Sequence, residues 1–187
     1  MTLPENRKPP AGTGGGSEND LLTGEIHFQH TELAELVAET EAALVGTLLK
    51  SDAESVRELA GGTSAAILAD VRYQFVWNAA RLCADDLVDP IPLAVVDAAR
   101  RAGLEVPVGF RGHVLSELWA LHTAAPAPAS AGWLLSQVRA NYARRLAAGA
   151  LAVASDAVWR GDLADLRHVV AEQLGLALAE LDSAASL

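Results

Sequence analysis

The chain has only one cysteine, Cys83, and one methionine, and aromatic residues make up only 5% of its 187 positions. A single thiol excludes an intramolecular disulfide and fits a buried thiol in a reducing compartment. So few aromatic residues argue against a β-sandwich, which draws on aromatic and β-branched side chains. Basic residues are outnumbered: 14 lysines and arginines face 24 aspartates and glutamates, a formal net charge of −10. The overall field therefore does not steer the chain to nucleic acid. No apolar run reaches the length of a membrane span, because arginines and aspartates interrupt each one. The first residues have no charged-then-apolar signal pattern. The expectation is a soluble, cytoplasmic protein with no membrane partner.

What is present is aliphatic and helical in pattern. Hydrophobic residues form 51% of the chain, much of it alanine, which suits helices packed through small side chains. Residues 1–29 read as a disordered Gly/Pro-rich tail, since Pro4, Pro9, Pro10 and Gly12-Thr13-Gly14-Gly15-Gly16-Ser17 bring too little apolar surface to offset the entropy of ordering. The glycines do not form a phosphate-binding loop, because no Lys-Ser/Thr pair follows them and no strand precedes them. A first helix is expected from Thr31, with Gly46 as a close-approach point. A short helix capped by Ser51 or Asp52 runs to Ala60. A third, opened by Thr63 or Ser64, carries Ile67, Leu68, Val71, Phe75, Val76, Ala79 and Leu82 on one side and stops before Asp89-Pro90. Pro92 to Arg101 and His113 to His122 are two more helices. No stretch alternates with period two, so the fold class is all-α: a small helical bundle over 30–124, then a hinge and long C-terminal helical hairpin over 125–187.

The hairpin is the dominant feature. Its helices are expected over Ser130 to Trp159 and Leu163 to Leu181, about 45 Å and 30 Å long. Gly161 ends the first through a positive φ and Asp162 caps the second. Leu135, Val138, Tyr142, Leu146, Gly149 and Val153 form one apolar stripe. Leu163, Leu166, Val169, Val170, Leu174, Leu178 and Leu181 form the other. So long a hairpin is expected to project and meet a partner. The interface candidates are Leu146, Val153, Trp159, Leu163, Leu166, Val170 and Leu174, with Arg144 and Arg145 for an acidic partner patch. Trp159, beside the turn, is the candidate anchor. Trp77, Trp119 and Trp133 read as core.

Reactive chemistry is not evident. His27 and His30 lie three apart without the cysteine-rich, four-ligand pattern of structural zinc. His113, His122 and His168 are scattered, and Asp85, Asp86 and Asp89 read as a solvated turn after a helix. No catalytic residue, cofactor site or metal site is expected.

Four motifs resemble the N-terminal, collar-forming domain of DnaB-type replicative helicases. They are Glu41-Ala42-Ala43-Leu44-Val45-Gly46-Thr47-Leu48-Leu49; Asp70-Val71-Arg72-Tyr73-Gln74-Phe75-Val76-Trp77; Val88-Asp89-Pro90-Ile91-Pro92-Leu93 with Leu104 after Gly103; and Trp133 through Arg144-Arg145-Leu146. Tyr73 stands where that family has histidine. The likeness spans about residues 40 to 181. It implies a ring-tier role: self-association as a dimer or higher, and contact with primase, helicase loader or full-length helicase in DNA replication. The family's ATPase motor has no counterpart here, so neither ATP hydrolysis nor unwinding is carried over. The expected function is a protein–protein interaction and oligomerisation module, not an enzyme. The rival expectations are an N-terminal fragment of a full ATP-dependent helicase and a motorless regulatory decoy, with direct nucleic-acid binding disfavoured by charge. Ser183-Ala184-Ala185-Ser186-Leu187 reads as a natural end.

Overall fold

The computed structural model describes residues 18–110, 112–161 and 163–185, with side chains from residue 33 onward except at 163 and 165. The fold is all-α, with no strand among the described residues. The helices are α1 (Glu18–Leu48), α2 (Ala53–Ala60), α3 (Val71–Asp85), α4 (Pro92–Arg101), α5 (Val114–Ala124), α6 (Ala131–Arg160), α7 (Leu163–His168) and α8 (Leu174–Ala185). A five-residue π-helical turn, Val169–Gln173, joins the last two. The chain divides into two units, 1–34 and 35–187, and the description below concerns the second.

Residues 1–17 of the expected tail lie outside the described residues. The rest of it does not stay irregular: α1 begins at Glu18, well before the expected Thr31. No proline interrupts the sequence from Glu18 to Leu48. No helix among the described residues is long and apolar enough to cross a membrane.

Caps set most of the boundaries. Asp52 accepts a hydrogen bond from the Ser55 N–H at 2.8 Å, and Asp89 accepts one from the Ala53 N–H at 3.0 Å, so two carboxylates close the start of α2. The expected helix from Thr63 instead splits into a 3₁₀ turn, Ala65–Ile67, and α3. Asp70 caps α3, accepting from the Arg72 N–H at 2.8 Å. The Arg72 guanidinium, 2.6 Å from the same carboxylate, holds Asp70 below the usual carboxylate range. That stabilisation is present above the ordinary pKa and is lost as pH falls through the lowered one.

Helices α3 and α4 end in the same motif with different residues. After α4, Gly103 at φ 66° donates to Arg100 O while Leu104 donates to Ala99 O. After α3, Leu87 at φ 61° donates to Ala84 O while Val88 donates to Cys83 O. A left-handed leucine costs about 1–2 kcal/mol, and Leu87 is 74% exposed, so its side chain recovers little. Glycine there relieves the strain but adds about 0.5–1 kcal/mol of unfolded-state entropy. Leu87→Gly is therefore expected to raise stability by about 0.5–1 kcal/mol, read as a higher urea midpoint. A lower midpoint would contradict the strain.

The core gathers Leu44 and Leu48 of α1 with Leu49 just after it, Val56 of α2, Phe75, Val76 and Trp77 of α3, Val95 of α4, Leu118 of α5 and, from α6, Leu134, Leu135 and Val138. The beginning of α6 thus belongs to the same core as α1–α5, and packing does not divide 30–124 from 125–187 as the sequence pattern suggested. The reason is that α6 alternates roles along its length: large apolar residues face the bundle near its start and small ones serve the hairpin later. Cys83 is buried, and burial pushes its thiol upward, which keeps it protonated. Trp77 is fully buried as expected, but Trp119 and Trp133 are not core: they are 45% and 64% exposed. Trp119 makes an edge contact with His122 instead, at 5.2 Å between ring centres.

Gly46 is fully surrounded. A Cβ there would lie 2.6 Å from Leu121 O and 2.7 Å from Ala125 Cβ, so α1 and the end of α5 approach backbone to backbone. Lys50 of the following turn also donates to Ala125 O. Gly46→Ala is expected to destabilise by about 1–3 kcal/mol despite alanine's better helix propensity, because the clash is with backbone and cannot rotate away. A denaturation midpoint equal to wild type would show that the two helices can part at no cost.

Candidate interaction surface

The hairpin is built by one glycine and a row of alanines. Gly161, at φ 73°, closes α6 through bonds to Ala157 O and Val158 O, as the sequence predicts. Asp162, the expected cap of the second helix, lies outside the described residues. The chain then returns along α6 through α7, the π turn and α8, and α6 with α8 is the most extensive helix pair in the fold.

The seam between them is made mostly of small side chains. Beyond Val138, the buried positions of α6 are Ala143, Ala150 and Ala157, seven residues apart. On the return they are Val169 and Ala177. Alanines at heptad spacing let two helices approach closely, and the larger side chains are then turned outward. Alanine contributes little to hydrophobicity, so this seam does not stand out in the sequence pattern.

The consequence is an apolar exterior. Trp159 is 87% exposed at the turn, and Leu151, Val153 and Val158 are exposed on α6. On the returning helical limb of the hairpin, Val170 is 52% and Leu178 63% exposed, with Leu181 also exposed and Leu174 half-buried between them. Val170, Leu174, Leu178 and Leu181 follow one another at steps of four, four and three, which is one face of a helix. Of the other expected positions, Leu146 and Leu166 are half-buried. The side chain of Leu163 lies outside the described residues. Leu151, Val158, Leu178 and Leu181 belong to the exposed set but were not among the interface candidates. The heptad of alanines is the signal that would have found them.

Arg139, Arg144 and Arg145 of α6 separate into distinct roles. Arg144 is exposed and donates only to Asn141 Oδ1, at 2.7 Å. Arg145 is not free for a partner. Its Nη1 reaches Glu41 Oε1 at 3.1 Å, its Nη2 reaches Ile67 O, and its guanidinium lies 5.5 Å from the Tyr142 ring centre. Arg139 donates to Thr63 Oγ1 at 2.6 Å and to Ser183 Oγ. The expectation that Arg145 offers charge to a partner fails because an acceptor 104 residues away claims it.

That acceptor is a focus of the fold. Glu41 is 1% exposed, and its carboxylate takes hydrogen bonds from the Ala69 N–H at 2.8 and 2.9 Å and from the Asp70 N–H at 3.2 Å, besides the Arg145 pair. It ties α1, the break before α3, and α6 together at one point. The motifs beginning at Glu41, Asp70 and Trp133 therefore meet in space. In the remaining motif, Asp89 accepts from α2.

No family model, curated protein or solved structure matches this chain. The likeness to the helicase amino-terminal domain thus rests on its four sequence motifs.

The groups expected to be chemically inert have ordinary structural places. Asp86 pairs with Arg101 at 3.0 Å, and His168 Nδ1 lies 3.2 Å from Glu172 Oε1. His113 is the first cap residue of α5. The side chains of His27 and His30 lie outside the described residues. Among the described residues, no group of three or more histidine, cysteine, aspartate or glutamate side chains is arranged to hold a metal.

Proposed function

We propose that this protein is an interaction and oligomerisation module that self-associates through the outer face of its hairpin. In this reading the chain acts by binding, and its partners belong to DNA replication: primase, a helicase loader or a full-length replicative helicase. The observation that carries the association is the row Val170, Leu174, Leu178 and Leu181, left on the outside because alanines fill the seam. A contiguous exposed apolar surface on a folded domain marks a contact site more often than it persists in water. Trp159 at the turn supplies the large anchoring side chain that such contacts favour, and Arg144 supplies a rim charge. The replication setting is supported by the four motifs and by the way three of them converge on Glu41.

Light scattering over a concentration series tests the association. A mass of two or more chains at concentrations on the order of 10 μM is expected, corresponding to an association free energy of about 7 kcal/mol. A single-chain mass throughout that range would remove the basis of the proposal.

A further inference from the structure

The turn Gly61-Gly62-Thr63-Ser64 borders three depressions that share Gly62 and Thr63, one of which places Glu180 in the same wall as Arg139. One, of about 480 Å³, is bounded by the turn, by Ala65 and Ala66, and by Gln74, Asn78 and Arg81 of α3. Its wall contains no carboxylate. Another, of about 510 Å³, is lined in part by Ser51, Ser55, Thr63 and Arg139, with Glu58 also in its wall.

The two arginines here differ from their neighbours. Arg57, Arg72 and Arg145 are bound to carbonyl or carboxylate oxygens. Arg81 is only partly exposed and has no hydrogen-bond or ion-pair partner among the described residues. Arg139 touches hydroxyls alone, and its Nε is buried without an acceptor. Both arginines are only partly exposed, and a bound oxyanion would supply the anionic acceptor that neither has among the described residues. In a chain of net charge −10, two such cations at one glycine-rich turn stand against the general field.

We propose that this turn is a binding site for a phosphate group, free or carried on a small molecule. Arg81 provides the charge-assisted donors, the Asn78 amide and the Ser64 hydroxyl add neutral ones, and Arg139 contributes positive potential from the adjoining depression. Gly62 has no side chain to bar a ligand's approach to the backbone. A small ligand fits the depression, whereas the acidic remainder of the chain repels a nucleic-acid polymer.

The test is a nuclear magnetic resonance titration of the full chain in low-salt buffer with inorganic phosphate, pyrophosphate and, as a carboxylate control, succinate. Saturable shifts of the Gly62 backbone amide and the Asn78 side-chain amide are expected at millimolar phosphate or pyrophosphate, with succinate clearly weaker. Arg81→Gln should weaken phosphate binding about tenfold while leaving the melting temperature unchanged, since Arg81 has no partner to lose among the described residues. Asn78→Ala provides a second exposed variant with the same expectation in smaller degree. The proposal is overturned by absence of a saturable shift, by succinate binding as tightly as phosphate, or by Arg81→Gln binding as wild type does.

Discussion

Glu41→Ala is expected to lower the unfolding free energy by about 3–5 kcal/mol, the range seen when a buried, hydrogen-bonded charge pair loses one member. The larger part of this loss comes from the backbone. Ala69 and Asp70 would keep N–H groups aimed at a site where no acceptor remains, each costing about 1–3 kcal/mol. The Arg145 pair adds less, because the arginine is 34% exposed and water screens it, while the carboxylate is 1% exposed. The effect should also be visible locally. With Glu41 gone, the Ala69 and Asp70 N–H groups lose their acceptor, so amide exchange at these two residues should rise before the rest of α3 is affected. Glu41→Gln retains one acceptor oxygen and should fall between wild type and alanine. Urea denaturation checks the order. A loss below about 1 kcal/mol for alanine, the size of a surface ion pair, would mean that the carboxylate does not organise this junction.

Glu41 also shows where sequence reading reaches its limit. The local signals were legible: Asp52 before α2, Pro92 and Gly103 around α4, and Gly161 at the hairpin turn act within a few residues of themselves. The hairpin helices and the all-α class follow from apolar spacing for the same reason. Gly46 was readable as a close-approach point, though its partners at Leu121 and Ala125 were not. The split before α3 was not legible, because its N–H acceptors come from Glu41, 28 residues earlier for Ala69. Arg145 read as surface charge because its partner lies 104 positions away. Glu41 itself had a signal: it is the one carboxylate heading the otherwise apolar run to Leu49. Trp119 and Trp133 were misplaced because apolar neighbours in sequence are not neighbours across a helix. The alanine seam is not legible from apolar spacing, since closeness of packing depends on small side chains that hydrophobicity undervalues.

The second large effect concerns that seam's outer side. Val170→Asp with Leu178→Asp should leave the monomer folded, because both side chains already face solvent. In an associated state the same pair would bury carboxylates against apolar surface, at several kcal/mol. Each substitution occurs once per chain and so twice in a dimer. An unfavourable change of only about 3 kcal/mol already weakens association by more than a hundredfold. Placing the charges at Leu166 and Val170 would be less clean, since Leu166 is half-buried and its loss would disturb the monomer as well. Arg144→Ala, at the rim, should change association by less than about tenfold, an effect that disappears at high salt.

Sedimentation equilibrium of the wild-type chain beside the Val170→Asp, Leu178→Asp variant tests the assignment of the hairpin's outer face most directly. The expected result is a reversible dimer or larger assembly for wild type and a monomer with unchanged helical circular dichroism for the variant. Equal association of the two, with both folded, would contradict it.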